Sequence, residues 1–470
     1  MNNKQILYGF GLFCFLLSIS ACKVTKTYQR PAFSSTDSLY RDQIGVSDTS
    51  NLATLPYQDL FTDPILQKLI NEALQQNLDL KSALERMKNA AAQLRLSKVA
   101  YLPSLNLDLS VADNKQSEAA LNFPPGININ TKTALYKAQL STAWEIDVWG
   151  KLGSAKRAAL ANFLQTDAAK RVVQTELIGN IANNYYLLLA LDKQLAITQQ
   201  TLQNRIKAEK TIKSLKDAAI VNGAAVVQSE ANRYAVEVTI PDLKRSIRET
   251  ENTLNILLAR PAGSIERTNL DEEKSLENLK FGIPSQLLKN RPDVQAAEFA
   301  FQSAFENTNL ARTYFYPSLT LTANGGLSSL SLKNFFDRSI FYSVIGGLTQ
   351  PIFNKGLNKA RLLSAKAAQQ QAFYNFQKTL LTAGSEVSNQ LFAFQTAKEK
   401  EGYRSQQIAA LQKSVDYTYQ LLKFSSATNY TDVLTSEQAL LAAQLSSVND
   451  QLQKLQAVVN LYKALGGGWQ

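Results

Sequence analysis

The chain has 470 residues, 45% hydrophobic and 19% charged, with a formal net charge of +11. That length and composition can bury a large core and exclude a wholly disordered polypeptide. There is no histidine, and the only cysteines are Cys14 and Cys22, which removes Ser-His-Asp and Cys-His catalysis, imidazole metal ligands and a disulfide framework.

Lys4 precedes an apolar run from Ile6 to Ile19, which ends in Ser20-Ala21-Cys22. This is the pattern of a secretory leader over residues 1–21, too short to prefer a spanning helix. A small residue directly before Cys22 has the form of a bacterial lipoprotein box, so Cys22 is the predicted lipid attachment site. Cleavage removes Lys4 and no acid, and the charge falls from +11 to +10. Export argues against nucleic acid as a partner. Lys and Arg are spread along helical stretches, as on solvated helix faces or against anionic lipid. Residues 22–63 read as an N-terminal tether.

The remainder is written twice. Tyr101-Leu102-Pro103-Ser104-Leu105 recurs as Phe315-Tyr316-Pro317-Ser318-Leu319, and Ser229-Glu230 recurs as Ser436-Glu437. The first repeat covers 64–261, a linking segment 262–284, and the second repeat 285–470. In the first repeat, Leu66, Leu69, Ile70, Ala73 and Leu74 mark one face of a helix predicted over 64–100, with Pro64 in its first turn and Pro103 beyond its end. The period then changes to two. Leu105, Leu107, Leu109 and Val111 alternate with Asn106, Asp108 and Ser110. After Pro124-Pro125-Gly126, Tyr136, Ala138, Leu140, Thr142, Trp144, Ile146 and Val148 alternate with Lys137, Gln139, Ser141, Glu145 and Asp147. This predicts a β-hairpin at about 103–149. Its length and apolar face suit a membrane barrel, although one such segment fits a soluble sandwich equally well.

A long helical hairpin is predicted over about 151–260, interrupted at Asn222-Gly223. Past it, Leu243, Ile247, Thr250, Leu254 and Leu257 step by four and three. The second repeat again gives a helix, a hairpin at about 317–353 and a helical hairpin at about 356–465. Its seam runs Leu441, Leu445, Val448, Leu452, Leu455, Val459, which is coiled-coil spacing, or an ordinary bundle core. Arg291 and Asp293 resemble catalytic residues only superficially. A helix start after Asn290, with Pro292 in the first turn, accounts for them.

Four strands cannot close a barrel, since closed ones begin at eight, and an open edge in lipid leaves backbone groups unpaired. If the strands enter a membrane, several chains must share one barrel. The polar residues Lys137, Gln139, Glu145 and Asp147 would then face a wet lumen, which favours three or more chains.

Four stretches carry a family resemblance: Cys22 with Tyr28-Gln29-Arg30-Pro31; Asn290-Arg291-Pro292-Asp293-Val294 with Ala296-Ala297-Glu298 and Pro317-Ser318-Leu319; Tyr430-Thr431-Asp432-Val433-Leu434; and Leu461-Tyr462-Lys463-Ala464-Leu465-Gly466-Gly467-Gly468-Trp469. From about residue 22 onward the chain resembles the TolC-like outer-membrane efflux proteins, in the lipoprotein branch of RND-type tripartite pumps. The resemblance implies an α+β membrane protein: a homotrimer with a twelve-stranded β-barrel, four strands per chain, continued by a long α-helical coiled-coil periplasmic tunnel. It implies a passive exit duct for small toxic molecules, with no enzyme activity and no cofactor, served by a periplasmic adaptor and an inner-membrane RND-type transporter. It places the gate and adaptor contact at the hairpin tips, Asn222 and Gly223 on the first and Asn429, Tyr430 and Asp432 on the second. A duct for secreted proteins (a type I system) and a lipid-anchored coiled-coil scaffold without a pore are the alternatives.

Overall fold

The computed structural model describes residues 24–31, 39–41, 51–121, 130–274, 282, 286–424 and 430–469. Cys22, Asn429, the leader and the loop at Pro124-Pro125-Gly126 lie outside the described residues. The chain divides into two compact units.

The first unit takes residues 88–165 and 298–375 together with the stretch before Ala32. It holds one four-stranded antiparallel sheet in the order β1 (Ser104–Lys115), β2 (Lys132–Ile146), β3 (Ser318–Ser329), β4 (Ile340–Thr349). The two expected hairpins are therefore joined through β2 and β3. Both strands of the second hairpin stop short of the predicted limits, and β2 ends one residue before Asp147. Residues 24–31 lie along the helix Pro292–Thr313. Arg30 grips Glu298 through two hydrogen bonds of 2.6 and 2.7 Å, the Tyr28 ring meets Phe301 and Phe305 edge-on, and Asn309 bonds both backbone groups of Lys26.

The second unit takes residues 32–87, 166–297 and 376–470. Helix α1 (Pro64–Gln76) is capped by Asp63, and helix α2 (Leu78–Val99) follows. The single helix predicted over 64–100 is thus broken at Asn77. That side chain accepts from Leu80 N–H and donates to the Leu257 carbonyl, both at 2.9 Å, so the break is fixed by a cap and a tertiary bond. The long helices are α3 (Lys151–Asp217) and α5 (Leu357–Phe424), with 67 and 68 residues. Helix α4 denotes the return of the first hairpin, Gly223–Leu257, interrupted at Val238; α6 (Tyr430–Ala464) is the return of the second. The interruption in α4 comes three residues before Pro241, which has no N–H to offer the preceding turn. Of the two seams, Ile247, Thr250, Leu254, Val448, Leu452, Leu455 and Val459 are buried, while Leu243, Leu257, Leu441 and Leu445 are half-buried. Tyr185, Phe61, Leu66 and Ile70 are the bulk of the core's centre. Burying one large apolar side chain contributes about 1.5–3 kcal/mol.

The start of the second repeat differs from expectation by one residue. Arg291, not Asn290, precedes the helix Pro292–Thr313. Buried Arg291 bonds Asp293, Glu386 and the Ala464 carbonyl, while Trp469 donates to the Asn290 carbonyl at 2.9 Å. The family-like ending of the chain is therefore packed against the family-like start of the repeat.

Candidate functional site

The strand register sorts the sheet into two faces. Leu107 pairs with Leu140, Leu140 with Gly325, and Gly325 with Tyr342. Period two then places Leu105, Leu109, Val111, Tyr136, Ala138, Leu321, Leu327, Ile340, Val344 and Leu348 on that same apolar face. The opposite face carries Asn106, Asp108, Lys137, Gln139, Glu145, Thr320, Thr322, Asn324 and Ser343. Leu107, Leu109, Tyr342 and Val344 are exposed in the single chain. Among the described residues, β1 and β4 have no strand on their outer sides. Among the described residues, no helix is long and apolar enough to cross a membrane.

Of the predicted polar wall, Lys137 and Gln139 stand on β2, with the Lys137 ammonium 5.3 Å from the Phe341 ring. Glu145 is also on β2 but is engaged by Lys151 at 2.8 Å. Asp147 lies past the strand, where its two oxygens accept the N–H groups of Leu152 and Gly153 at 3.0 and 2.8 Å. It caps α3, because free amides and the positive helix end draw a carboxylate. Alternation alone had carried the strand one turn too far. Aromatic residues gather at this end of the sheet. Trp144 donates to the Tyr101 carbonyl, Trp149 donates to the Pro317 carbonyl, and Trp149 stacks on Tyr316 with centroids 5.1 Å apart.

At the hairpin ends, α3 stops at Asp217, and Ala219 adopts the left-handed conformation with φ 59° while the Ile220 N–H returns to the Leu215 carbonyl. Asn222 caps the return helix by accepting from Ala225 N–H at 3.2 Å, and Gly223 opens that helix with free space around it. Tyr430 is not a solvated tip residue. It is 5% exposed and donates to Ser229 Oγ at 2.8 Å, packing with Ile212, Val433 and Leu434. Asp432 lies in the first turn of α6 on its exposed side.

Sequence reasoning missed a buried ion pair between the two hairpins. Arg205, 2% exposed, meets Glu437, 11% exposed, and Tyr419 donates to the same carboxylate at 2.7 Å. Burial, then the Glu437 charge, pushes the Tyr419 hydroxyl well above its ordinary range. The signal was present. Glu437 belongs to the Ser-Glu repeat, whose first copy, Glu230, pairs with Lys213 at 3.0 Å on the surface. The pattern marked a duplication but not that one copy had become buried.

A two-faced sheet with open edges and two very long helical hairpins define a chain that supplies one part of a channel wall. The family model described as outer membrane efflux protein matches residues 69–260 and 283–467. The chain belongs to that family. It is 29% identical over 467 residues to the cation efflux system protein CusC of Escherichia coli O6:H1, covering 97% of this chain and 98% of that one. It is also 29% identical over 473 residues to the solvent efflux pump outer membrane protein SrpC of Pseudomonas putida, covering 97% of each. The open-state crystal structure of the Neisseria gonorrhoeae MtrE outer membrane channel matches with a TM-score of 0.84 at 26% identity, over 96% of this chain and 99% of that one. The protein is an outer-membrane efflux channel subunit. Its fold class is that of the trimeric channels, α+β, with four strands per chain and long coiled-coil helices.

Proposed function

We propose that this chain is the outer-membrane exit duct of a tripartite efflux pump, passing small toxic molecules delivered by an RND-type inner-membrane transporter through a periplasmic adaptor. The observation that carries this reading is the sheet with one apolar face, one polar face and two open edges. Pairing β4 of one copy with β1 of the next closes three copies into twelve strands, with Lys137 and Gln139 turned to the lumen. The cargoes named for the two relatives, cations and solvents, share no chemistry, which fits a duct whose cargo is chosen elsewhere. Beyond the leader the chain has one methionine, Met87, one cysteine and no histidine, so it offers few soft ligands to a metal in transit. Deleting the gene is expected to sensitise cells to dyes, detergents or antibiotics. Unchanged sensitivity in cells with a working pump refutes the reading.

Cys22 is the lipid anchor in this proposal. Thr25 packs so closely on Gly150 that a Cβ there would stand 3.3 Å from its Cγ2. Three residue steps lead from Cys22 to Thr25, a reach of about 10 Å. The acyl chains would thus enter near the end of β2, beside the Trp149 and Tyr316 pair. Cys22→Ser is expected to abolish acylation, read by mass spectrometry of the mature N-terminus, while trimers persist on native gels.

The hairpin ends form the closed gate. Asn222 and Gly223 turn the first hairpin, Tyr430 fastens the second to Ser229, and the Arg205–Glu437 pair holds both a few turns further in. Asp432, in the first turn of α6, belongs to the second tip in this proposal, and Asn429 is proposed there from the sequence alone. Removing the Asp432 charge takes an acid from the first turn of a helix, where it is worth about 0.3–1 kcal/mol. Asp432→Ala is therefore expected to raise leak of bulky antibiotics several-fold, with no more than a slight loss of trimer stability. Identical permeability and single-channel conductance would remove Asp432 from the gate.

A further inference from the structure

The end of the sheet away from the long helices carries a charge arrangement that strand pairing disfavours. Strand β1 ends at Lys115, β2 begins at Lys132, and the register sets these two residues directly opposite each other. Steps of two from Val111 and from Tyr136 put both on the apolar face. The Cβ atoms of directly opposed residues stand about 4.5–5.5 Å apart, and like charges placed so destabilise a sheet. Both lysines are exposed. Asp113, on the same face of β1, meets Lys132 at 3.2 Å, and among the described residues Lys115 has no ion-pair partner.

The second hairpin brings more positive charge to the same end. Its connection from β3 to β4 holds Lys333 and Arg338. Arg338 follows Lys132 by the same 206 residues that separate the starts of α3 and α5, so the duplication repeats a cation there. Arg338 is left-handed, with φ 52°, and the next residue, Ser339, accepts the Ser328 N–H at 2.8 Å, which keeps it beside the end of β3. Phe336, Leu330 and Leu332 are exposed on the same connection. These four cations outnumber the acids at this end, Asp113, Glu118 and Asp337.

We propose that Lys115 and Lys132 form a binding site for a phosphate group of a phosphorylated glycolipid in the outer leaflet of the membrane. An oxyanion between the two ammonium groups accepts a hydrogen bond from each and cancels their repulsion. The height fits. The apolar alternation of β2, Tyr136 to Ile146, is about 34 Å of strand, or about 24 Å once tilted by some 45°, which is the apolar band of a membrane barrel. Lys132 lies two outward positions beyond Tyr136, at headgroup level, and the long helices leave from the other end. Lys333 and Arg338 flank the site with charge of the same sign. The proposal rests on the apolar face meeting lipid. Insertion of the channel into bilayers is a separate measurement, so the two readings can fail independently.

The test is native mass spectrometry and thermal unfolding of the full-length trimer in detergent. It is titrated with lipid A, with lipid A stripped of its phosphates, with phosphatidylglycerol and with inorganic phosphate. Lipid A is expected to bind roughly tenfold or more tightly than its stripped form, from two hydrogen bonds between charged groups. Raised salt should weaken that preference, because the site is exposed. Lys115→Gln with Lys132→Gln should abolish it, whereas Lys115→Arg with Lys132→Arg should keep it. Without lipid the glutamine pair should melt no earlier than the wild type, since the repulsion is gone. The proposal is overturned by equal binding of the two lipid A forms, by a preference that survives in the glutamine pair or is lost in the arginine pair, or by a glutamine pair that melts earlier without lipid. Phosphatidylglycerol or inorganic phosphate binding as tightly as lipid A would overturn it as well.

Discussion

Leu140→Arg is expected to leave a folded helical chain that no longer inserts into a bilayer. Leu140 lies near the middle of β2, between Leu107 and Gly325 on the apolar face. An arginine at the midplane of a lipid-facing strand costs about 2–4 kcal/mol, and three copies in one barrel bring this to on the order of 6–12 kcal/mol. The neighbouring residue supplies the control. Ser141 points to the polar face and bonds Asp108 at 3.0 Å, so Ser141→Arg places its charge beside an acid and in water. Membrane flotation and native gels should separate the two variants, with Ser141→Arg trimeric and Leu140→Arg not. A trimeric, conducting Leu140→Arg channel would mean that this face does not meet lipid.

The same sheet indicates how much was legible beforehand. Alternation is a local property, so Leu105 to Val111 and Tyr136 to Ile146 announced their faces from sequence alone, and the register kept that parity across all four strands. Repeat symmetry then supplied the second hairpin. What failed was termination. Asp147 continued the alternation but caps a helix, and Asn77 interrupts a helix whose apolar spacing runs straight through it. In both cases a side chain found backbone partners that no periodicity encodes. The polar contacts between distant segments were equally hidden. Asp63, Tyr185 and Thr268 are scattered over some two hundred residues and carry no motif. At the hairpin ends the sequence located the turns, through Asn222-Gly223 and Tyr430, but not the chemistry that joins them. Tyr430 is among the most buried residues there, although the sequence placed it only at a polar turn.

That chemistry leads to the second large effect, at Arg205 and Glu437. Arg205 is nearly sealed from water, and neither its Nε nor its Nη1 makes a hydrogen bond among the described residues, so this buried cation depends on the charge of the one Glu437 carboxylate beside it. Glu437→Ala removes that carboxylate and the acceptor of the Tyr419 hydroxyl together. Breaking a buried pair on one side costs about 3–5 kcal/mol, because the remaining charge stays desolvated. The variant is expected to melt markedly earlier than the wild type and to admit bulky antibiotics, since the two hairpins lose one of their polar ties and the Tyr430–Ser229 bond remains. Replacing both partners should be far milder. In Arg205→Leu with Glu437→Leu no charge is stranded, and an apolar pair of this kind is often neutral or stabilising. Most of the lost melting temperature should therefore return, and the leak should fall with it. Thermal melts and antibiotic susceptibility of the single and double variants decide the matter. If the double variant melts as early as Glu437→Ala, the damage comes from lost packing volume and not from an uncompensated charge, and the pair is no tie between the hairpins.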